Sequence, residues 1–464
     1  MTSPSAADRP SSVLGLIGLT PIVELTRFDI GPCRLFAKLE SQNPGGSIKD
    51  RVALSMIAAA ERDGRLKPGG TIIEATAGNT GLGLAQVGLP KGYRLILIVP
   101  DKMSREKIQH LRALGADVRI TRSDVGKGHP DYYQDRAEAL AASIPGSFYV
   151  NQFANPANPL AHETTTGPEI LSALDGDVDA VVVGVGSGGT LTGLGRFFRR
   201  ASPKTRMVLA DPLGSVLAPL INTGTLIEAG SWAVEGIGED FVPPNADLSL
   251  VSAAYSIPDA ESMATARDLL KREGILAGSS SGTLLAAALR YCREQTEPKR
   301  VVTLVCDTGA KYLSKVYDDA WIAEQGLATR AAYGDLRDLV VRSHREGGTI
   351  TVSPEDTLLT AYKRMRGADV SQLPVVSDNR LVGLIDESDV LAAVGTKAQV
   401  RDHRFLSSVR DAMVTDLHTV DVHQPVASVL PLFDRGEVAL VVDGADFLGL
   451  VTPVDFINHL RLTS

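Results

Sequence analysis

Short apolar runs alternate with amphipathic segments along the first two thirds of the chain. Runs of strand length, rich in Val, Ile and Leu, are followed by stretches in which apolar residues recur every three or four positions. The pattern predicts strands at 71–74, 95–99, 117–120, 180–185, 207–210 and 301–305. It predicts helices at 48–63, 104–114, 135–143, 190–199, 260–273 and 282–293. Such alternation indicates an α/β domain with a parallel sheet covered by helices on both faces.

The pattern changes near residue 320. Residues 329–348 are dense in charge and alanine, which is typical of a linker, and an internal repeat follows. The segment 352–358 recurs as 420–426, and the segment 383–389 recurs as 449–455. Two copies of a helix–strand–strand–helix unit predict a paired module. We therefore expect a first domain over 1–320, a linker over 321–348 and a module over 349–464, with motifs at about 349–397 and 408–464.

Composition excludes several classes of protein. The 464 residues carry 47 basic and 55 acidic side chains, a net charge of −8, and no long block of either sign favours nucleic acid or an anionic membrane as partner. No apolar run approaches the ~20 residues that span a bilayer, and residues 1–12 lack the apolar segment of a secretory signal. Three widely spaced cysteines without a CxxC pair predict a reducing, cytoplasmic location.

The stretch 43–51 places a lysine at a predicted helix start. Ser47 and Asp50 have the spacing of a capping box, so the helix should begin at Ser47. Lys49 then lies in the first turn, where the helix dipole and burial both disfavour the charged amine. A neutral amine is the form that attacks a carbonyl carbon. An ordinary solvated lysine is the alternative that this stretch alone leaves open.

Three glycine- and hydroxyl-rich turns follow predicted strands or open predicted helices, at 74–81, 186–190 and 278–283. Backbone N–H groups and hydroxyls at helix N-termini bind phosphate or carboxylate. Each turn alone also fits an ordinary structural turn. Three of them beside a lysine at a helix start indicate a ligand that carries both a phosphate and a carboxylate.

A competing motif lies at 184–189, where Gly-Val-Gly-Ser-Gly-Gly matches the G-x-G-x-x-G pattern of dinucleotide binding. Asp211 follows at about the expected 20 residues. A nicotinamide dehydrogenase is therefore an alternative. Against it, the motif lies in mid-chain, and the lysine turn and the Asn79 turn would have no function.

With these residues the sequence resembles the β-family (fold type II, tryptophan synthase β-like) pyridoxal-phosphate enzymes, and among them the cystathionine β-synthases. The resemblance runs from about Leu14 to the C-terminus. It rests on the motifs at 18–21, 43–51, 76–81, 152–153, 158–162, 186–190, 234–238 and 278–283. The C-terminal repeat resembles a pair of CBS motifs, a Bateman module.

The resemblance implies a role for each matching residue. It implies that pyridoxal 5'-phosphate is held covalently at Lys49, that Asn79 binds the ring hydroxyl and that Ser280 binds the pyridine nitrogen. A neutral hydroxyl at that nitrogen makes the ring a weaker electron sink, which favours β-replacement over transamination. The implied phosphate cradle consists of Gly186, Ser187, Gly188, Gly189 and Thr190. The implied site for the substrate carboxylate consists of Thr76, Gly78, Thr80 and Gln152.

The implied reaction condenses L-serine with L-homocysteine to L-cystathionine and water, with Lys49 as the general base. O-acetylserine sulfhydrylase (cysteine synthase) shares nearly every motif; the C-terminal module and the sequence at 235–238 favour the first reading. A catalytically inactive sensor of an adenosyl ligand is an alternative of another class, against which the intact Lys49, Asn79 and Ser280 argue. Members of the family often carry tyrosine where this chain has Glu239. No metal is implied.

The segment before Leu14 contains neither Cys nor His, so we expect no haem. His162 and Cys306 are expected to be packing residues, and the strand end at 307–309 receives no assigned role. For assembly, the family implies a homodimer, or a homotetramer if the modules add a second interface.

In the C-terminal module, the resemblance implies that Thr452 and Asp455 hold an adenosyl ribose. In the first motif Asp386 replaces the hydroxyl while Asp389 is retained. An extra carboxylate disfavours a phosphate-bearing ligand. We therefore predict that S-adenosylmethionine binds the module. A purely structural dimerisation module is the alternative.

Overall fold

The computed structural model describes residues 10–76, 78–101, 103, 105–126, 128–328, 331–345, 347–395 and 401–463. The chain divides into two compact units, the first ending at Tyr317 and the second beginning at Asp318. None of the described helices is long and apolar enough to cross a membrane.

In the part of the first unit that the structure describes there are ten strands and ten α-helices. The strands are β1 (Ile22–Glu24), β2 (Arg34–Lys38), β3 (Thr71–Ala75), β4 (Arg94–Pro100), β5 (Asp117–Thr121), β6 (Ser147–Tyr149), β7 (Ala180–Val183), β8 (Arg206–Pro212), β9 (Val251–Ile257) and β10 (Arg300–Leu304). The helices are α1 (Lys49–Arg62), α2 (Asn79–Gly88), α3 (Arg105–Leu114), α4 (Tyr133–Ser143), α5 (Ala157–Ala161), α6 (Gly167–Ala173), α7 (Gly189–Ala201), α8 (Leu217–Thr223), α9 (Asp259–Glu273) and α10 (Ser279–Arg293). A π-helical segment, His162–Thr166, joins α5 to α6.

The strands form two sheets. One has six strands in the order β1-β2-β10-β7-β8-β9, all parallel except the edge strand β1, and the other has four parallel strands in the order β5-β4-β3-β6. Parallel strands require crossovers, which the intervening helices supply. The fold class predicted from the alternating pattern is therefore confirmed, although the strands form two sheets.

Alternate residues of the central strands pack on opposite faces of the four-stranded sheet. Leu95 and Leu97 belong to a core shared with Val52 and Met56 of α1, whereas Ile96 and Ile98 pack with Ala137 of α4. Buried on both faces, such strands consist of nearly continuous apolar runs. This explains why the pattern identified them.

A buried ion-pair network fixes α1 just beyond its first residue. Arg51 Nε lies 2.7 Å from Glu40 Oε2, and Arg51 Nη1 lies 2.6 Å from Glu169 Oε1. Lys38 Nζ lies 2.7 Å from the other oxygen of Glu169. These contacts join β2, α1 and α6 and hold the start of α1 in place.

The predicted start of this helix is wrong by two residues, because α1 begins at Lys49. Ser47 Oγ accepts the Lys49 N–H at 3.2 Å, but the Asp50 carboxylate accepts the N–H of Gly45 instead of that of Ser47. The capping box therefore does not form. Ser47 instead bridges to Asp307, so the segment before Lys49 is held by the end of β10.

The second unit contains the repeated module. Its strands are β11 (Gln372–Ser377), β12 (Arg380–Asp386), β13 (Thr419–Asp421), β14 (Ala439–Asp443) and β15 (Asp446–Val451). Its helices are α11 (Asp319–Glu324), α12 (Leu358–Ala368), α13 (Glu387–Val394), α14 (Arg401–Phe405), α15 (Leu430–Phe433) and α16 (Pro453–Thr463). Each repeat contains the predicted series of helix, two strands and helix, and in the second repeat the additional strand β13 precedes it. Each repeat has its own apolar core.

The segment expected to be a linker is in part structured. It contains most of α11, and Leu336, Leu339 and Val340 are buried in the core of the second repeat. The sequence pattern does not identify these three apolar positions, because charged residues surround them. They pack against strands about 100 residues further along the chain.

Candidate active site

The carboxyl end of β10 joins two of the predicted site segments. Ile48 N donates to Cys306 O at 2.8 Å and Thr308 N donates to Gly46 O at 3.1 Å, which places the turn before Lys49 along one side of this strand end. On the other side Gly278 N donates to Asp307 O at 3.2 Å. Lys49 and Ser280, which are far apart in sequence, are therefore positioned by the same three residues, 306–308.

Lys49 is partly buried at the first turn of α1. Burial is the largest influence on its amine and lowers its pKa, while Cys306, Asp307 and Glu239 partly offset this effect. Lys107 lowers the pKa further. The neutral amine that the sequence predicted from the helix dipole and burial is thus favoured by its surroundings.

Asn79 begins α2 and is held by the same strand end. Its Nδ2 donates to Asp307 Oδ2 at 2.6 Å, and its Oδ1 accepts from Lys311 Nζ at 3.0 Å. Tyr312 also donates its hydroxyl to Asp307 Oδ2, at 2.6 Å. The sequence assigned no role to Asp307, which is fully buried and organises this part of the site.

The loop 186–190 forms a cradle of backbone at the start of α7. Gly188 is left-handed at φ 85°, and in the described chain no side chain caps the helix. A Cβ on Gly189 would lie 1.9 Å from Asn158 Oδ1, and a Cβ on Gly186 would lie 2.5 Å from Gly236 O. The first-turn N–H groups, which no described side chain caps, suit a phosphate group.

Two side chains beneath this loop set its shape. Asn158 Nδ2 donates to Ser187 Oγ at 2.9 Å, and His162 Nε2 lies 3.2 Å from Thr190 Oγ1. Burial lowers the pKa of His162 well below its usual value, and the cations Arg51 and Lys49 act in the same direction. His162 is therefore neutral and orients a loop hydroxyl, beyond the packing role expected for it.

The predicted carboxylate site lies at the end of β3. Thr76 Oγ1 accepts the N–H of Gly78 at 3.2 Å, and Thr80 Oγ1 donates to Gln152 Oε1 at 2.6 Å. Gly78 has φ 139°, a conformation that favours glycine. Gln152 O in turn accepts from Asn158 Nδ2 at 2.8 Å. The structure therefore brings this turn next to the cradle.

Ser280 is buried in the first turn of α10, within hydrogen-bonding reach of the Cys306 thiol. Burial and the neighbouring Asp307 raise the pKa of Cys306 to about 12, so the thiol is protonated at neutral pH. Cys306, expected to be a packing residue, lies beside Lys49 and Ser280.

An acidic and basic cluster borders the site on the side of the loop 234–238. Glu235 Oε2 lies 2.6 Å from Lys107 Nζ, and Glu235 Oε1 lies 2.8 Å from Lys315 Nζ. The N–H of Glu235 donates to Ser279 Oγ at 3.0 Å, which links this loop to α10. Glu239 lies close enough to Lys49 to raise the pKa of its amine.

Sequence reasoning assigned no role to Asp307, Asn158 and Lys311. Each acts through a partner that is distant in sequence. Two of them had a signal, because Asn158 belongs to one of the motifs that carried the family resemblance and Asp307 opens the segment 307–309 at the predicted strand end.

These residues fit pyridoxal phosphate. An amine with a lowered pKa, an uncapped cradle of glycine backbone, an amide and a buried hydroxyl converge around the ends of β3, β7 and β10. Carboxyl ends of parallel strands are where α/β proteins bind ligands. When bound, the cofactor supplies an electron sink for the carbanion formed next to the substrate amine.

Comparison with known families agrees with this geometry. Residues 13–307 match the model of the family described as pyridoxal-phosphate dependent enzymes, and residues 345–396 and 409–462 each match a CBS domain. The fold and site therefore define a pyridoxal-phosphate dependent enzyme with a C-terminal pair of CBS domains.

The chain belongs to the cystathionine β-synthase family. It is 34% identical to cystathionine β-synthase from Dictyostelium discoideum, over 97% of this chain and 92% of the relative. It is also 43% identical to cysteine synthase A from Escherichia coli, but over only 64% of this chain. Among solved structures, an O-acetylserine dependent cystathionine β-synthase from Helicobacter pylori is 37% identical, with a TM-score of 0.61 over 66% of this chain and 98% of that structure.

In the second unit, the predicted adenosyl-binding residues contact each other. Thr452 Oγ1 donates to Asp455 Oδ2 at 2.6 Å, at the turn that opens α16. In the first repeat Asp386 and Asp389 form a reciprocal capping box at the start of α13. The two turns thus occupy equivalent positions in the two repeats. They differ in that Thr452 carries a hydroxyl where Asp386 carries a carboxylate.

Proposed function

We propose that this protein catalyses β-replacement, condensing L-serine with L-homocysteine to L-cystathionine and water, with pyridoxal phosphate attached at Lys49. The observation that carries the proposal is the position of Lys49. Its amine, with a lowered pKa, lies at the strand end that also holds the turn of Ser280 and, through Asp307, Asn79.

The residues of the candidate site have the following roles in this proposal. The backbone of Gly186, Ser187, Gly188, Gly189 and Thr190 binds the cofactor phosphate, while Asn79 and Ser280 bind the ring hydroxyl and ring nitrogen. Thr76, Gly78, Thr80 and Gln152 bind the carboxylate of the amino acid. Lys49 Nζ takes the α-proton as general base and then donates a proton to the departing hydroxyl.

The experiment is a comparison of substrate pairs with product identification by mass spectrometry. Purified protein with pyridoxal phosphate is incubated with L-serine and L-homocysteine, and separately with O-acetylserine and sulfide. Cystathionine as the dominant product supports the proposal. Cysteine from O-acetylserine, with serine inert, would identify a cysteine synthase.

A second candidate function gives the same product, L-cystathionine, but starts from O-acetylserine, so that the leaving group is acetate. The H. pylori enzyme of similar structure is described as O-acetylserine dependent. Glu239 also supplies no phenol to assist departure of a hydroxyl, and acetate needs less assistance. Adding O-acetylserine with homocysteine as a third pair distinguishes this candidate.

The C-terminal module is proposed to bind S-adenosylmethionine at Thr452 and Asp455 and to change activity or stability. A cationic sulfonium is compatible with the carboxylate of Asp386, whereas a phosphate is repelled. We also propose a cytoplasmic location and a homodimer or homotetramer, on the basis of cysteine usage and family resemblance.

A further inference from the structure

Lys311 links Asn79 to the turn that precedes Lys49. It ends the short 3-10 helix Gly309–Lys311 that follows β10, and its side chain is buried. Its Nζ donates to Gly45 O at 2.9 Å, to Gly46 O at 3.3 Å and to Asn79 Oδ1 at 3.0 Å.

The two partners of Asn79 permit a single orientation of its amide. An ammonium group only donates hydrogen bonds and an ionised carboxylate only accepts them. Lys311 therefore requires the amide oxygen, and Asp307 requires the amide nitrogen, which donates to it at 2.6 Å. A flipped amide would set its oxygen against the carboxylate and its N–H groups against the ammonium.

We propose that Lys311 is a positioning residue that keeps the Asn79 amide oriented as a donor toward the phenolic oxygen of pyridoxal phosphate, and whose charge stabilises that oxygen as an anion. This inference rests on the proposed function, in which Asn79 binds the ring hydroxyl. It goes beyond that function because Lys311 itself need not touch the cofactor.

Charged groups from several elements face Lys311. Burial lowers its pKa to about 8, Asp307 and Asp50 of α1 raise it, and Lys107 of α3 lowers it. The ammonium form is therefore the major one at neutral pH, where it can polarise Asn79. Lys311 in turn helps to lower the pKa of His110, also on α3, although burial of that imidazole is the larger cause.

A merely structural role, supporting the carbonyls of Gly45 and Gly46, is the competing explanation. It predicts a loss of stability without a change in the electronic state of the cofactor. The test therefore reads the absorbance spectrum as well as affinity.

The variants are Lys311→Met, Lys311→Arg and a control, Lys315→Met. Lys315 Nζ pairs with Glu235 Oε1 at 2.8 Å, so the control removes a nearby cation that is bound elsewhere. Each full-length protein is freed of cofactor and titrated with pyridoxal phosphate, and its absorbance spectrum and thermal unfolding are recorded. Lys311→Gln replaces Lys311→Met if that variant does not fold, because its amide can still donate to the carbonyls without a charge.

We expect Lys311→Met to bind pyridoxal phosphate about tenfold more weakly, the size of one charge-assisted hydrogen bond. Its yellow absorbance band should also decrease in favour of the near-ultraviolet band, while Lys311→Arg and Lys315→Met keep the parental spectrum. A parental spectrum and affinity in Lys311→Met, or in its Gln replacement, overturns the inference alone. A parent that binds no pyridoxal phosphate overturns the proposed function together with it.

Discussion

At the scale of single residues, the site depends on groups whose ionisation is set by burial. Lys49 is shifted toward its neutral form, Cys306 stays protonated and His162 stays neutral. In each case desolvation is the largest cause, because the charged form loses its hydration inside the protein.

Replacing Lys49 tests the proposed chemistry directly. Lys49→Ala should lower turnover by at least about a thousandfold, since both covalent attachment and general-base catalysis are lost. Thermal unfolding of the cofactor-free protein should change little, because a poorly solvated amine is removed. Lys91→Ala, which breaks an exposed pair with Glu61, is the control and should keep full turnover. Turnover by Lys49→Ala within tenfold of the parent would contradict the assignment.

The buried network around Arg51 predicts a pH dependence of stability. Burial alone would raise the pKa of Glu169, but Arg51 and Lys38 outweigh it and lower the pKa to about 2. A carboxyl with a lowered pKa in the folded state stabilises above its unfolded value of 4.5 and loses that contribution as pH falls toward 2.

Glu169→Gln should therefore cost about 3–5 kcal/mol at neutral pH, the cost of breaking a buried pair. Its free energy of unfolding should also fall less on acidification than that of the parent. Urea unfolding at several pH values measures both. Glu24→Gln, which breaks the more exposed pair with Arg34, should cost less than about 1 kcal/mol. Equal losses of unfolding free energy in Glu169→Gln and Glu24→Gln would contradict the stabilising role of the buried network.

At the scale of elements, the sequence predicted the strands and helices that local hydrophobic patterns determine. The central strands and long helices were predicted to within a few residues, because they are continuous apolar or amphipathic runs. The strands β1, β2, β6 and β9 were not predicted. Edge strand β9 is only partly buried, and β2 carries charges at both ends, one of which is the buried Lys38. Their pairing partners, not their own composition, make them strands.

The candidate site shows the same contrast between features set by local sequence and features set by long-range contacts. The glycine cradle and the lysine turn were visible as local motifs, and the structure brings them together. Lys311 was not identified, and Asp307 was noted at the strand end but received no role, because each meets Asn79 more than 200 residues away in sequence. Only the meeting of the ends of β3 and β10 places them beside Asn79.

The cradle at the start of α7 predicts the effect of adding one methyl group. Gly189→Ala should weaken retention of pyridoxal phosphate and lower stability, since the new Cβ would lie 1.9 Å from Asn158 Oδ1. Gly367→Ala in α12 is the matched control, because its Cβ meets nothing within 4 Å. The control should be neutral or stabilise by up to about 1 kcal/mol, the helix preference of alanine over glycine. Cofactor titration and thermal unfolding of both variants check this, and unimpaired cofactor binding by Gly189→Ala would exclude the cradle as the phosphate site.

At the scale of the whole molecule, the chain consists of two compact units with separate cores. The proposed chemistry belongs to the first and the proposed regulatory ligand to the second. Ligand binding to the second unit is therefore expected to appear in that unit's own stability.

S-adenosylmethionine at about a hundredfold excess over its Kd should raise the melting temperature of the second unit by about 5 °C or more. Thr452→Val should abolish this increase, because the hydroxyl beside Asp455 is removed. Thr463→Val, which removes a hydroxyl near the end of the same helix, should retain it. Differential scanning calorimetry measures the shift, and an unchanged melting profile of the parent at millimolar ligand would leave dimerisation as the module's role.

The end of β10 has a consequence for protein engineering. The turns of Lys49 and Ser280 hydrogen-bond to opposite sides of one three-residue segment, and Asn79 is bound to the carboxylate at its centre. Substitutions at 306–308 will therefore change several cofactor contacts together. A library that aims to alter one contact at a time should vary the turns and leave this segment intact.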